Sequence, residues 1–177
     1  PPADVIVALS DGTPTAYRSD GTQIVQDANA AIVIQEAANL VNDNGGGSVA
    51  LGGGTFPINA SVTSLPGKPG NAPGNQIPMY SNMTLCGQGM GATVLKATGE
   101  TQIGSTGGTI DNLHYRDFTF DGQNRGGQTT IYSEGPNRCS AERVAVINAG
   151  ARSSSYSRGG IIWRTGQYNK IINCYAE

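Results

Sequence analysis

Tyr115-Arg116-Asp117-Phe118-Thr119-Phe120 is answered further along the chain by Ala141-Glu142-Arg143-Val144-Ala145-Val146 and by Ile172-Asn173-Cys174-Tyr175-Ala176-Glu177. In each run two outward polar or small residues separate apolar ones, the pattern of a bend between two short strands. Phe118 and Val144 stand 26 residues apart and Val144 and Tyr175 31 apart, a loose period in the range of solenoid repeats. A β-sandwich would turn every ~8 to 12 residues without such recurrence. The recurrence therefore favours an all-β fold, a short solenoid of the parallel β-helix type.

Working outward, further short β-like runs lie at 48–51, 55–58, 82–85, 93–95, 160–163 and 170–175, separated by Gly, Asn and Asp. Residues 64–76, dense in Pro and Gly, read as an exposed loop between windings. Upstream of Gly47 the period changes. Ala30, Val33, Ile34, Ala37, Ala38 and Val41 fall at helical spacing, with Asn29, Glu36, Asn39 and Asp43 on the other side. Asp27 is the expected N-cap, and Gly45-Gly46-Gly47 ends the helix. Residues 1–26 read as an irregular or β leader with turn signals at Asp11-Gly12 and Asp20-Gly21. The expected organisation is a leader at 1–26, a helix at 27–44 and β-helix windings over 45–177.

The order of that helix, then Gly-Gly-Gly-Ser-Val-Ala-Leu-Gly-Gly-Gly-Thr-Phe-Pro-Ile (45–58), Ser-Asn-Met-Thr-Leu-Cys-Gly-Gln-Gly-Met-Gly-Ala-Thr-Val-Leu-Lys (81–96) and Tyr-Arg-Asp-Phe-Thr-Phe-Asp-Gly (115–122) resembles the N-terminal part of right-handed parallel β-helix proteins of the pectate-lyase-like kind. The nearest resemblance is to the catalytic module of mannuronan C5-epimerases. It implies a right-handed solenoid whose N-terminal α-helix caps the open end, and polysaccharide, of the uronate type, as partner. One fold hosts many chemistries, so the resemblance speaks to fold before function. The epimerases carry an Asp-Pro-His-Glu motif after a Gly. Aligning Gly160 to that Gly puts Ile162-Trp163-Arg164-Thr165 in its place, without the acid or the histidine. Proton abstraction beside a carboxylate needs a positioned base and a group to neutralise the enolate, and these residues supply no base. On this chain alone the epimerase reaction does not assemble, so the catalytic windings are expected to be absent or incomplete here, and whether the fold serves a lyase, epimerase or hydrolase stays open.

The 177 residues fit one domain. Only 14% are charged, and 26 are Gly, about twice the usual ~7% share. A net charge of -2 without any basic run argues against nucleic acid, and no apolar stretch reaches the ~18 residues of a membrane span. Cys86, Cys139 and Cys174 lack metal-site spacing and read as small core fillers. The surface, rich in Asn, Gly, Ser and Thr and poor in Lys, suits a secreted or extracellular protein, and Asn59-Ala60-Ser61 and Asn82-Met83-Thr84 match the N-glycosylation triplet.

Among candidate site residues, Tyr132, Tyr156, Arg158, Trp163, Arg164 and Tyr168 interleave aromatic rings with guanidinium groups, which stack on sugars and pair with uronate carboxylates. Packing of Trp163 or Tyr168 in the core or against a neighbouring subunit is the competing reading. Asp111, Asp117 and Asp121 are close enough in sequence for a carboxylate cluster, serving Ca²⁺ or acid–base work, or for ordinary bends and turns. No other cofactor is suggested. His114, the single histidine, alternates outward if Leu113 and Tyr115 point in, and reads as a surface or structural residue. Gly87-Gln88-Gly89-Met90-Gly91 lacks the Gly-Lys-[Ser/Thr] ending of a phosphate loop and reads as a corner. The run at 172–177 carries no cap, so the expectation is either a continuing polypeptide or a covering subunit, with self-association at that end. Two function classes follow: a domain that binds or processes polysaccharide, or a non-catalytic structural or adhesive component of a filament, sheath or spike.

Overall fold

The computed structural model describes residues 4–61, 75–105, 108–125, 130–149 and 160–177. The chain begins with β1 (Val5–Ser10), β2 (Thr13–Arg18) and β3 (Gln23–Gln26), then α1 (Ala30–Asp43). There follow β4 (Gly47–Leu51), β5 (Gly54–Ile58), β6 (Gln76–Pro78), β7 (Met83–Cys86), β8 (Thr93–Ala97), β9 (Gln102–Ser105), β10 (Ile110–Asp111) and β11 (His114–Asp121). The remainder is β12 (Thr130–Glu134), β13 (Pro136–Asn137), β14 (Ser140–Ile147), β15 (Ile161–Arg164), β16 (Lys170–Ile172) and β17 (Tyr175–Ala176).

From β4 onward every pairing is parallel, and successive segments return to the same sheets in the same order. One sheet runs β16-β14-β11-β7-β4, a second runs β15-β12-β9-β6, and β10 pairs with β13. Like residues therefore stack. Val49, Leu85, Tyr115 and Ala141 form one buried ladder. Phe56, Leu95, Phe120 and Val146 form another. Ile77, Ile103 and Ile131, in register with the partly buried Ile161, form the third. These ladders remove apolar area from water at about 25 cal/mol per Å² and are the main source of stability.

The leader is more regular than its composition implies. β1 and β2 form a hairpin through Asp11 and Gly12, both at positive φ (50° and 79°), the geometry a two-residue hairpin turn requires. β1 also pairs in parallel with β4, so residues 5–26 extend the large sheet as an antiparallel meander. The recurring runs hold in register for Tyr115↔Ala141 and Phe118↔Val144. The third is corrected by one residue, because Ala141 pairs with Ile171 and Ala145 with Tyr175. The reason lies at the bend: Asp117, Arg143 and Asn173 all adopt left-handed φ (63°, 51° and 50°), which interrupts the two-residue alternation.

α1 buries Ala30, Val33, Ile34, Ala37, Ala38 and Val41, together with Ala31 and Gln35, and packs on the strands from β1 to β6. Its N-cap is Asn29 rather than Asp27. Asn29 Oδ1 accepts from the Ala31 and Asn59 amides and its Nδ2 donates to the Asn59 carbonyl, tying the helix to the end of β5. The Asp27 carboxylate instead accepts from the Asn29 amide, fixing the cap residue itself. Gly45 and Gly46 end the helix by donating to the carbonyls of Asn42 and Val41. Buried Gln35 donates to Asn39 and to the Tyr80 hydroxyl, which in turn donates to Asn39. The loop expected at 64–76 falls, through residue 74, outside the described residues. Among the described residues no helix is long and apolar enough to cross a membrane.

Candidate functional site

Alternation along the parallel strands sends Val49, Leu85, Tyr115 and Ala141 inward and leaves their neighbours on the outer face. Ser48, Thr84, His114 and Ser140 stand in register across β4, β7, β11 and β14. Beside them runs a second row, Ala50, Cys86, Arg116 and Glu142. The two rows line a cleft of about 380 Å³. Its β4 and β7 side is lined by the small Ser48, Ala50, Thr84 and Cys86, and the longer His114, Arg116 and Glu142 stand on β11 and β14.

His114 is half-buried there, and its Nδ1 lies 2.8 Å from Ser140 Oγ. Burial, and then the charge of Arg116, push the imidazole below its usual range, so it is held neutral near pH 7. Glu142 does not neutralise Arg116 across the ladder, because its carboxylate is taken by Arg143. Arg143 also grips Asp117 with Nε and Nη2 on the two carboxylate oxygens, at 2.6 and 3.0 Å. Among the described residues Arg116 has no ion-pair partner, and it projects as an exposed guanidinium beside His114. Arg143 engages both Asp117 and Glu142, and Arg116 is the cationic side chain among the residues lining the cleft.

The Arg143 hydrogen bond and charge hold the Asp117 carboxyl below its usual value, although burial opposes them. A lowered folded value stabilises the protein above the unfolded value of 3.8, and that stability is lost as pH falls from there through the folded value. Urea midpoints of wild type measured from pH 5 downward are therefore expected to fall more steeply below pH 4 than those of Arg143→Met, which keeps only the share of the other lowered carboxyls, Asp121 among them.

The other carboxylates of the expected acidic cluster lie apart. Asp111, on β10, pairs with Arg138 at 2.9 Å. Burial raises the carboxyl of Asp121, at the end of β11, but hydrogen bonds from Asn148 and Gln123 together with the charge of Lys96 bring it below its usual value. Among the described residues no three His, Cys, Asp or Glu side chains converge as a metal site. The aromatic and arginine patch divides. Tyr132 and Arg164 occupy outer positions of β12 and β15, with Arg164 Nη1 3.5 Å from the Tyr132 hydroxyl and 4.0 Å from Glu134. Trp163, in register with buried Ser133, turns inward against the core. Tyr168 is 81% exposed, and Tyr156 and Arg158 lie outside the described residues. Of the two glycosylation triplets, Asn59 is half-buried, with Oδ1 accepting from the Ser61 amide and hydroxyl. Asn82 is exposed, and its Oδ1 accepts from Asn112 Nδ2. All three cysteines are free thiols: Cys139 is buried, Cys174 packs at the core's edge and Cys86 lines the cleft.

The alignment of 115–120 with 141–146 sets Glu142 opposite Arg116 and Ser140 opposite His114, but no spacing in the sequence marks these residues as lining a cleft. Only the outward parity of His114 points there.

From β4 onward the chain visits its sheets in recurring order with parallel pairing throughout, as parallel β-helix proteins do, and comparison with solved structures agrees on the fold. The chain is similar to the mannuronan C-5 epimerase AlgE6 A-module of Azotobacter vinelandii, at a TM-score of 0.66 and 21% identity over 82% of this chain and 39% of that one. It is similar to the AlgE4 A-module of the same organism at a TM-score of 0.57 and 20% identity, covering 84% of this chain and 46% of that one. A mutant tailspike protein of E. coli bacteriophage HK620, solved in complex with a pentasaccharide, matches at a TM-score of 0.53 and 16% identity over 96% of this chain and 35% of that one. At these identities the likeness defines the fold alone, and the chain spans less than half the length of each of these structures. No protein-family model and no curated protein sequence matches the chain.

Proposed function

We propose that the chain is the polysaccharide-binding part of an extracellular β-helix protein, wound as a right-handed solenoid whose first winding is covered by α1, and that its cleft takes a uronate-type polymer. The observation that carries this reading is Arg116, exposed in the cleft and without an ion-pair partner among the described residues, while Arg143 absorbs the nearby carboxylates. A guanidinium fork pairs with a sugar carboxylate through two parallel hydrogen bonds. Outward Tyr132 and Arg164, on the neighbouring sheet, form a second aromatic and guanidinium pair, there with Glu134 4.0 Å from the guanidinium. The epimerase modules and the pentasaccharide-bound tailspike, which share the fold, support polysaccharide as the partner class.

Calorimetric titration of the chain with alginate, pectate and a neutral glucan tests the reading. Saturable binding of a uronate polymer and none of the glucan is expected. Loss of a charge-assisted contact worth about 1.5–3 kcal/mol predicts that Arg116→Ala weakens uronate binding roughly 10- to 150-fold. Equal binding of glucan and uronate, or an Arg116→Ala variant that binds as wild type, would overturn the assignment.

A further inference from the structure

Within the same cleft, Ser140 and His114 stand in the relation of nucleophile to base. We propose that this pair hydrolyses acyl esters carried on the hydroxyl groups of the bound polysaccharide, an inference that rests on the polysaccharide reading above. Ser140 Oγ and His114 Nδ1 are 2.8 Å apart, inside the range in which a base takes the hydroxyl proton of a nucleophile. They face each other because β11 and β14 are paired in parallel with His114 opposite Ser140, so the contact is held by backbone ladder bonds and not by a mobile loop. Both side chains are partly buried yet line the cleft, which leaves room for a substrate carbonyl. The imidazole is kept neutral by burial and by Arg116, which leaves a nitrogen lone pair to accept the proton. Arg116 lies two residues along β11 on the same face, where its pairing with a uronate carboxylate would hold the esterified sugar beside Ser140.

In the first step Ser140 Oγ bonds to the acyl carbon as its proton passes to His114. The bond from that carbon to the sugar oxygen then breaks, and the leaving sugar oxygen takes the proton from His114. Water attacks the resulting acyl-serine, delivers a proton to His114 and releases the carboxylic acid, and the proton returns to Ser140 Oγ. The products are a free sugar hydroxyl and one acid, with one water consumed.

The test treats the whole chain with a fluorophosphonate probe, maps the adduct by peptide mass spectrometry, and measures acetate released from acetylated alginate. Labelling is expected on Ser140, with acetate release, and both should fall about a hundredfold or more in His114→Asn, the scale of general-base catalysis. Ser140→Ala should abolish both, with circular dichroism confirming that each variant is folded. An unlabelled Ser140 in folded wild type, or labelling and release that survive in His114→Asn, overturns the pair. Alginate binding without labelling sinks this inference and leaves the binding reading standing. Labelling in a chain that binds no polysaccharide supports the pair's chemistry and sinks polysaccharide as its substrate.

Discussion

Gly104→Ala is expected to lower the unfolding free energy by about 2 to 6 kcal/mol, the sum of backbone strain and overpacking at one position. Gly104 sits inside β9, between Pro78 on β6 and Tyr132 on β12, at φ 149°, where side chains with a Cβ are rarely found. A Cβ there would fall onto the Tyr132 carbonyl oxygen and within 3.2 Å of Ser133 Oγ. The obstruction is backbone, so no rotamer change relieves it, and β9 would have to part from β12. Its own carbonyl accepts from the Met79 amide at 2.8 Å, so a shift of β9 disturbs the neighbouring winding as well. At about 2–4 °C per kcal/mol for a chain of this size, the melting temperature should drop by at least several degrees. Gly91 is the matched control. It lies at a corner where an added methyl group would meet nothing within 4 Å, and its φ is not positive. Gly91→Ala should therefore melt within about a degree of wild type, a surface change worth under about 0.5 kcal/mol. Equal melting of the two variants would mean that β9 and β12 are not apposed as described.

Legibility in the sequence follows the range of each interaction. The helical face from Ala30 to Val41 can be read because helical period is local, and the chain buries that face as written. The expected cap falls two residues early because Asp27 and Asn29 are both good acceptors, and the choice between them is made by Asn59, thirty residues away. The bends at Asp117 and Arg143 are visible as polar residues between apolar ones, which fixes the register of β11 on β14. The same rule slips at Ile172, where consecutive Ile171 and Ile172 offer two apolar residues for one inward position and Asn173 takes the left-handed bend. The interleaved aromatics suggest one patch, but strand parity separates Trp163 from Arg164, its immediate neighbour, onto opposite faces. The cleft is the least legible part. The recurrence at 26 residues already sets Ser140 opposite His114, but Thr84 joins them through a winding of 30 residues that no recurring run announces.

Phe118→Ala is expected to cost about 3–5 kcal/mol, the range for removing a fully buried aromatic ring. Phe118 is 0% exposed, stands in register with Val144 and meets Tyr115 edge to face at 6.5 Å and 71°. Left-handed Asp117 sets its direction, turning the chain so that Tyr115 and Phe118 both point inward across the bend. The variant also asks whether the sheets share one core. Phe118 belongs to the large sheet, while Trp163, the sole tryptophan, belongs to the four-stranded one and packs against the same buried cluster. Because the chain alternates between the two sheets, neither can unfold without dragging the other's strands apart. Far-ultraviolet circular dichroism and Trp163 fluorescence should therefore report one urea transition, displaced equally by Phe118→Ala. A fluorescence midpoint that stays at the wild-type value while the circular dichroism midpoint falls would show two independent sheets, and the stacked windings would have to be abandoned.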